Sequence, residues 1–215
     1  MFKDNISQPL AVFDYDKQRN YRFLITQNKN LLMYDSKGKS VKGFKYKATQ
    51  TIGSQPKHFR LRGKDYIVFG AGDQLKLLDR RGSNRVKVKE SIDFSGEAIY
   101  FYNSLFTTTN MKGNLVQINT KGAVSRLSLG LDSKHDITSS TKTLVTRSDN
   151  KLTIKSNRVD LEYGSYSPPN LFYLRDKIYI SITDLQGQKI WLFDSQAKPF
   201  PNLPSPYPIS IDAII

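Results

Sequence analysis

Four oxygen-bearing side chains stand at alternate positions early in the chain: Asp14, Asp16, Gln18 and Asn20. A calcium loop supplies oxygens from alternate positions and places glycine at its sharp bend. Here Arg19 occupies the bend, and Arg22 follows where a further acidic ligand would fall. Asp14 and Asp16 are therefore the candidate metal ligands, with calcium the fitting ion. Against that stands a structural reading in which the Arg22 guanidinium replaces the cation and neutralises Asp14 and Asp16 through its two-pronged donor set. The Arg22 reading is preferred.

A second chemistry is attraction of polyanions. Lys45 and Lys47 alternate with Phe44 and Tyr46, and Arg85, Lys87 and Lys89 alternate with Val86 and Val88. Strand alternation puts these five cations on a solvated face. Aromatics between them are candidate stacking platforms for single-stranded nucleic acid. The plainer alternative is that Phe44 and Tyr46 face a core, while the lysines guard outer strands against edge-to-edge association.

Catalysis finds little support. The two histidines, His58 and His135, lie 77 residues apart, each in the first strand of its segment. A lone strand histidine is more often a hydrogen-bonded structural residue. The GxSxG, HExxH, P-loop and GxGxxG patterns are absent, so no nucleophile–base set and no cofactor-binding motif emerges. Tyr163, Tyr166 and Tyr207, flanked by Ser, Gly and Pro, are weaker candidates for interface anchors.

These residues sit in a repeat. An apolar strand, a short polar turn, a second strand ending in Asp or Asn, a turn containing glycine and a third strand recur five times. The middle strands align at Leu31, Leu75, Leu115, Leu152 and Ile190, with spacings of 44, 40, 37 and 38 residues. A short apolar stretch precedes each copy (LAVFD, KHFRL, AIYFY, HDITS, NLFYL) and supplies a further strand. That interval, with four strands per unit, is the interval of propeller blades. The turns Asp35–Gly38, Asp79–Gly82 and Asn119–Gly122 begin with an Asx side chain that can cap the turn backbone and end with a glycine that accepts positive φ. Helical periodicity is absent. The expected fold class is all-β and β-propeller-like, with about five four-stranded units near residues 8–53, 54–95, 96–133, 134–166 and 167–203. SPYPISIDA near the C-terminus resembles SQPLAVFDYD near the start, so 204–215 begins a sixth unit or supplies a closing strand.

The repeats resemble quinoprotein-like and FG-GAP or VCBS-like propeller repeats of uncharacterised Bacteroidetes envelope proteins. FDYDKQRNYRFLIT carries the second likeness. The Trp-Asp blade ending of WD40 repeats is missing, and so is the Thr-Gly-x-x-x-Trp ending of quinoprotein blades; Trp191 lies mid-strand in KIWLFD. The resemblance implies an extracytoplasmic scaffold or adhesin and no particular reaction.

Composition narrows the rest. The 215 residues contain no cysteine, which excludes disulfides and thiolate metal sites. No apolar run is long enough for a transmembrane segment, and MFKDNISQPL is not a signal peptide. Net charge is +14, unevenly placed: residues 1–60 hold 12 Lys/Arg against 4 Asp/Glu, and residues 161–215 hold 4 against 5. The sequence thus points to a non-enzymatic binding or scaffolding module presenting loops for protein–protein contact or ligand docking, with nucleic acid the alternative partner and a carbohydrate-processing or other small-ligand enzyme third.

Overall fold

Alternating and continuous apolar runs of four to eight residues, punctuated by Asx and glycine turns, favour antiparallel strands over helices. In the computed structural model, which describes residues 5–201 and residue 203, they form nineteen strands in five sheets. The first sheet contains β1 (Ala11–Phe13), β2 (Arg22–Gln27), β3 (Asn30–Asp35) and β4 (Tyr46–Lys47). The second contains β5 (Lys57–Leu61), β6 (Lys64–Ala71), β7 (Gln74–Leu78) and β8 (Asn84–Lys87). The third contains β9 (Tyr100–Tyr102), β10 (Leu105–Thr109), β11 (Asn114–Ile118) and β12 (Val124–Ser128). The fourth contains β13 (Asp136–Ser139), β14 (Leu144–Ser148), β15 (Lys151–Ile154) and β16 (Asn157–Asp160), and the fifth β17 (Asn170–Leu174), β18 (Lys177–Asp184) and β19 (Lys189–Asp194). Sequence neighbours pair within every sheet, so each is a meander.

The middle-strand positions Leu31, Leu75, Leu115, Leu152 and Ile190 are all buried. The second strand of each sheet carries the continuous apolar run; in β6 every residue from Asp65 to Ala71 is buried. Such a strand is covered on both faces.

The fifth sheet has three strands where the sequence suggested four. After the turn at Asp194 the chain returns beside β19 through one bridge, Phe193 to Pro199, and Phe200 N–H donates to Leu192 O at 3.0 Å. Pro199 and Pro201 have no N–H to extend a ladder. The stretch 204–215, expected to begin a sixth unit or close the fold, lies outside the described residues, as does Tyr207.

The chain divides into two compact units, Met1–Ile99 with Val116–Arg126, and Tyr100–Leu115 with Leu127–Ile215. In the first, one core joins Ala11, Phe13, Leu24, Leu31 and Met33 of the first sheet to Ile67, Phe69, Ala71 and Leu78 of the second. In the second, Val145, Leu152 and Ile154 pack with Ile180, Ile182 and Phe193.

Candidate functional site

The loop after β1 holds itself together. Asp14 accepts the backbone N–H groups of Gln18 at 3.2 Å and Arg19 at 2.9 Å. Lys17 and Arg19 adopt φ of 56° and 61°, the left-handed region in which glycine is easiest. Asp14 thus acts as a turn cap for the strained residue Arg19.

Asp16 is held from the neighbouring sheet. Arg80, in the turn after β7, brings one terminal nitrogen to 2.7 Å from it and the other to 3.3 Å. Arg60 of β5 donates to the same carboxylate at 3.2 Å and to Tyr15 O at 2.9 Å. The guanidinium compensation expected at Asp16 is therefore present but comes from Arg60 and Arg80. Arg22, the expected partner of Asp14 and Asp16, instead donates to Asn20 Oδ1 at 2.6 Å and Tyr21 O at 3.1 Å. Arg22 opens β2, where the ladder pairs it with Asp35. Among the described residues no group of three or more His, Cys, Asp or Glu lies together in a way that could hold a metal ion.

Asp65, next to the start of β6, is the centre of this cluster. His58 Nε2 lies 2.8 Å from Oδ1, and Arg80 Nε donates to Oδ2 at 2.5 Å. Burial works against its charge, but the bonds from His58 and Arg80 outweigh burial and hold the carboxyl below its usual range. The His58 pKa is lowered as well, but for the opposite reason: burial dominates, although the Asp65 bond opposes that. Aromatic walls complete the cluster. The Tyr15 ring lies 4.7 Å from His58 edge-on, and the Arg80 guanidinium stacks 4.5 Å above it. Burial pushes the Tyr15 phenol up, and its hydroxyl faces Met33 Sδ at 3.9 Å.

Beside the cluster runs a groove of about 310 Å³ lined by Ala11–Asp14 and Gln55–Phe59. Its wall has no Ser, Thr or Cys, so His58 faces no hydroxyl or thiol there; Lys57 also lines it, and burial lowers the pKa of its amine. The His58–Asp65 pair ties two strands rather than activating a hydroxyl.

His135 forms a separate network. Its Nδ1 donates to Asp132 O at 2.7 Å, and its Nε2 is hydrogen-bonded with Thr109 Oγ1 at 2.7 Å. Ser148 Oγ donates to Asp132 Oδ2 at 2.7 Å, and Asp136 pairs with Arg147. This histidine, too, is part of the framework.

The polyanion candidates are placed unequally. Lys45, Lys47, Lys87 and Lys89 are exposed. Phe44 is buried, whereas Tyr46 is half-buried, packs edge-on against Phe69 at 5.4 Å and lines a pocket with Lys45 and Lys47. Arg85 departs from the expected solvated face. The ladder pairs Leu77 with Val86 but Leu78 with Asn84, leaving Arg85 as the extra residue of a β-bulge. A bulge re-aims the side chain it carries. Arg85 Nε accordingly donates to Asp65 O at 2.7 Å, with the guanidinium 5.3 Å above the Tyr66 ring. Of the tyrosine candidates, Tyr163 is 91% exposed, whereas Tyr166 is buried with its hydroxyl donating to Glu162 O at 2.7 Å.

Sequence reasoning missed the Asp65 cluster because His58, Asp65 and Arg80 belong to separate strands and a turn. The readable signal was one charged residue, Asp65, opening the apolar run YIVFGA.

No protein-family model matches the chain, and no curated protein matches it in sequence. Solved structures do resemble it. BBS1N, crystallised in complex with ARL6DN, superposes with a TM-score of 0.61 at 9% identity, covering 92% of this chain and 68% of that one. The Pan2 WD40 domain of Neurospora crassa gives 0.58 at 12% identity, covering 94% and 68%. The computationally designed Ika8 protein gives 0.57 at 14% identity, covering 89% of this chain, which spans 59% of that one. With five consecutive antiparallel sheets of propeller-blade size and no helix among the described residues, the chain is a β-propeller-like repeat fold.

Proposed function

We propose that this chain is a non-enzymatic binding module that docks a protein partner. One observation carries the reading: in the first unit, the side chains best suited to chemistry are engaged in bonds between strands, while the surplus charge lies on exposed turns and outer strands. Asp16, His58, Arg60, Asp65, Arg80 and Arg85 all bond within the unit. That unit carries 22 Lys and Arg against 10 Asp and Glu, so 12 of the 14 net positive charges belong to it. Short turns projecting from rigid sheets are a common platform for partner surfaces. The complex of BBS1N with ARL6DN supports a protein as the class of partner.

Site-specific photocrosslinking tests this. A benzophenone amino acid is placed singly at Lys45, Lys87 and Tyr163, and the full chain is irradiated in cells that express it. At least one position should yield a discrete crosslinked protein. Absence of any discrete adduct from all three would overturn the reading.

A further inference from the structure

We infer that the two junctions between successive repeats of the first unit form a docking site for an Asp/Glu-rich segment of the partner protein; this rests on the binding-module reading and names its partner chemistry. The site follows from how the turns pack. In each of three turns the leading Asx side chain accepts the N–H of the third residue: Asp35 from Lys37 at 2.9 Å, Asp79 from Arg81 at 2.8 Å, and Asn119 from Lys121 at 2.8 Å. The third residue is a cation every time, and its backbone is fixed. The fourth residue is glycine, and at the second and third turns this glycine presses on the outer strand of the preceding repeat. A Cβ built on Gly82 would lie 2.7 Å from Lys45 O, and one on Gly122 would lie 2.6 Å from Lys87 O. Lys45 N–H also donates to Arg81 O at 3.3 Å.

Packing therefore places Arg81 beside Lys45 at one junction and Lys121 beside Lys87 at the next. Lys47 and Lys89 follow two residues along the same chains, and all six side chains are exposed. Nearby acids are held by backbone N–H groups or by another cation. Asp79 accepts the N–H groups of Arg81 and Ser83, and Glu90 pairs with Arg126 at 2.7 Å. The corresponding turn of the fifth sheet, Asp194–Ala197, has Gln196 at the third position.

The chemistry favours an acidic polypeptide over nucleic acid. Five of the six exposed cations are lysines, hydrated point charges without a planar fork, whereas the guanidiniums of Arg60, Arg80 and Arg85 are already engaged by carboxylates, carbonyls and rings. Recognition of single strands relies on aromatic stacking; Phe44 is buried, Tyr46 is half-buried against Phe69, and at the second junction the residues between the cations are Val86 and Val88.

The test is fluorescence anisotropy of a labelled Asp/Glu peptide of about 12 residues, long enough to bridge neighbouring cation pairs when extended. An oligothymidylate of equal length and heparin are compared at ~50 and ~150 mM salt. The full chain should bind the peptide more tightly than the oligothymidylate. The double variants Lys45→Glu with Arg81→Glu, and Lys87→Glu with Lys121→Glu, should each weaken the peptide by about tenfold or more. Lys142→Glu with Lys151→Glu, the same charge change in the second unit, should stay within about twofold. Equal loss from all three variants would reduce the site to net charge, and preference for the oligothymidylate would make it a nucleic-acid surface; either overturns the inference. Urea midpoints confirm that the variants fold. If the peptide fails to bind while the photocrosslinks persist, acidic docking falls and the binding module stands.

Discussion

At the residue scale, Asp65 decides how the first unit responds to pH and mutation. Removing one member of a buried ion pair leaves the others uncompensated. Asp65→Ala is expected to destabilise the protein by about 1–3 kcal/mol in urea denaturation, because His58 loses its acceptor while the partly exposed Arg80 keeps Asp16. The pH dependence has two windows. His58 is depressed in the fold, so below its unfolded value of about 6.5 the unfolded chain takes up a proton that the fold refuses. Its contribution is present above that pH and is lost as pH falls through the window. Asp65 is also depressed, so its contribution is present above the unfolded value of about 3.9 and disappears as pH falls through the still lower folded value. A Tm–pH profile should therefore decline first below about pH 6.5 and again below about pH 4. His58→Gln should flatten the first decline and keep the second; an unchanged first decline would remove His58 as its origin.

At the element scale, the turns make distinct predictions from one motif. Gly38 and Gly82 both have positive φ, 71° and 83°. Alanine at Gly38 would meet nothing within 4 Å, whereas at Gly82 it would collide with Lys45 O. Gly38→Ala should therefore cost about 1–2 kcal/mol, the left-handed penalty alone. Gly82→Ala should cost more, since the outer strand of the first sheet must also move. Equal urea midpoints for the two variants would show that the turn of one repeat does not press on the strand of the last. Ala197 occupies the same turn position at φ 66°, so Ala197→Gly should leave stability unchanged or raise it by up to about 1 kcal/mol. Leu75→Ala, in a fully packed middle strand, should cost about 2–5 kcal/mol.

At the scale of the molecule, charge is segregated between the two units: +12 in the first and +2 in the second. Like charges within a compact unit repel, and salt screens them. Raising ionic strength from ~10 to ~300 mM should slow amide hydrogen exchange in β2 and β6 of the first unit. It should leave β14 and β18 of the second almost unaffected. Equal slowing in both units would indicate a general salt effect rather than relief of local repulsion.

The sequence by itself determined the fold class, the turns and the inward residues. Strand alternation, Asx–glycine spacing and a repeat of about forty residues are local or periodic properties, and Leu31, Leu75, Leu115, Leu152 and Ile190 are buried accordingly. The lysines of the outer strands were legible for the same reason, because Lys45, Lys47 and Lys87 obey the alternation. Only the tertiary structure decided which charges meet. Arg22 lies near Asp16 in sequence, yet Arg60 and Arg80 hold that carboxylate because packing the second sheet on the first carries their side chains to it. A single bulged residue took Arg85 out of the alternation and turned it toward Asp65 O. Ion pairing depends on distances across the core, and one inserted residue resets a strand's facing; neither is written in the local spacing of residue types.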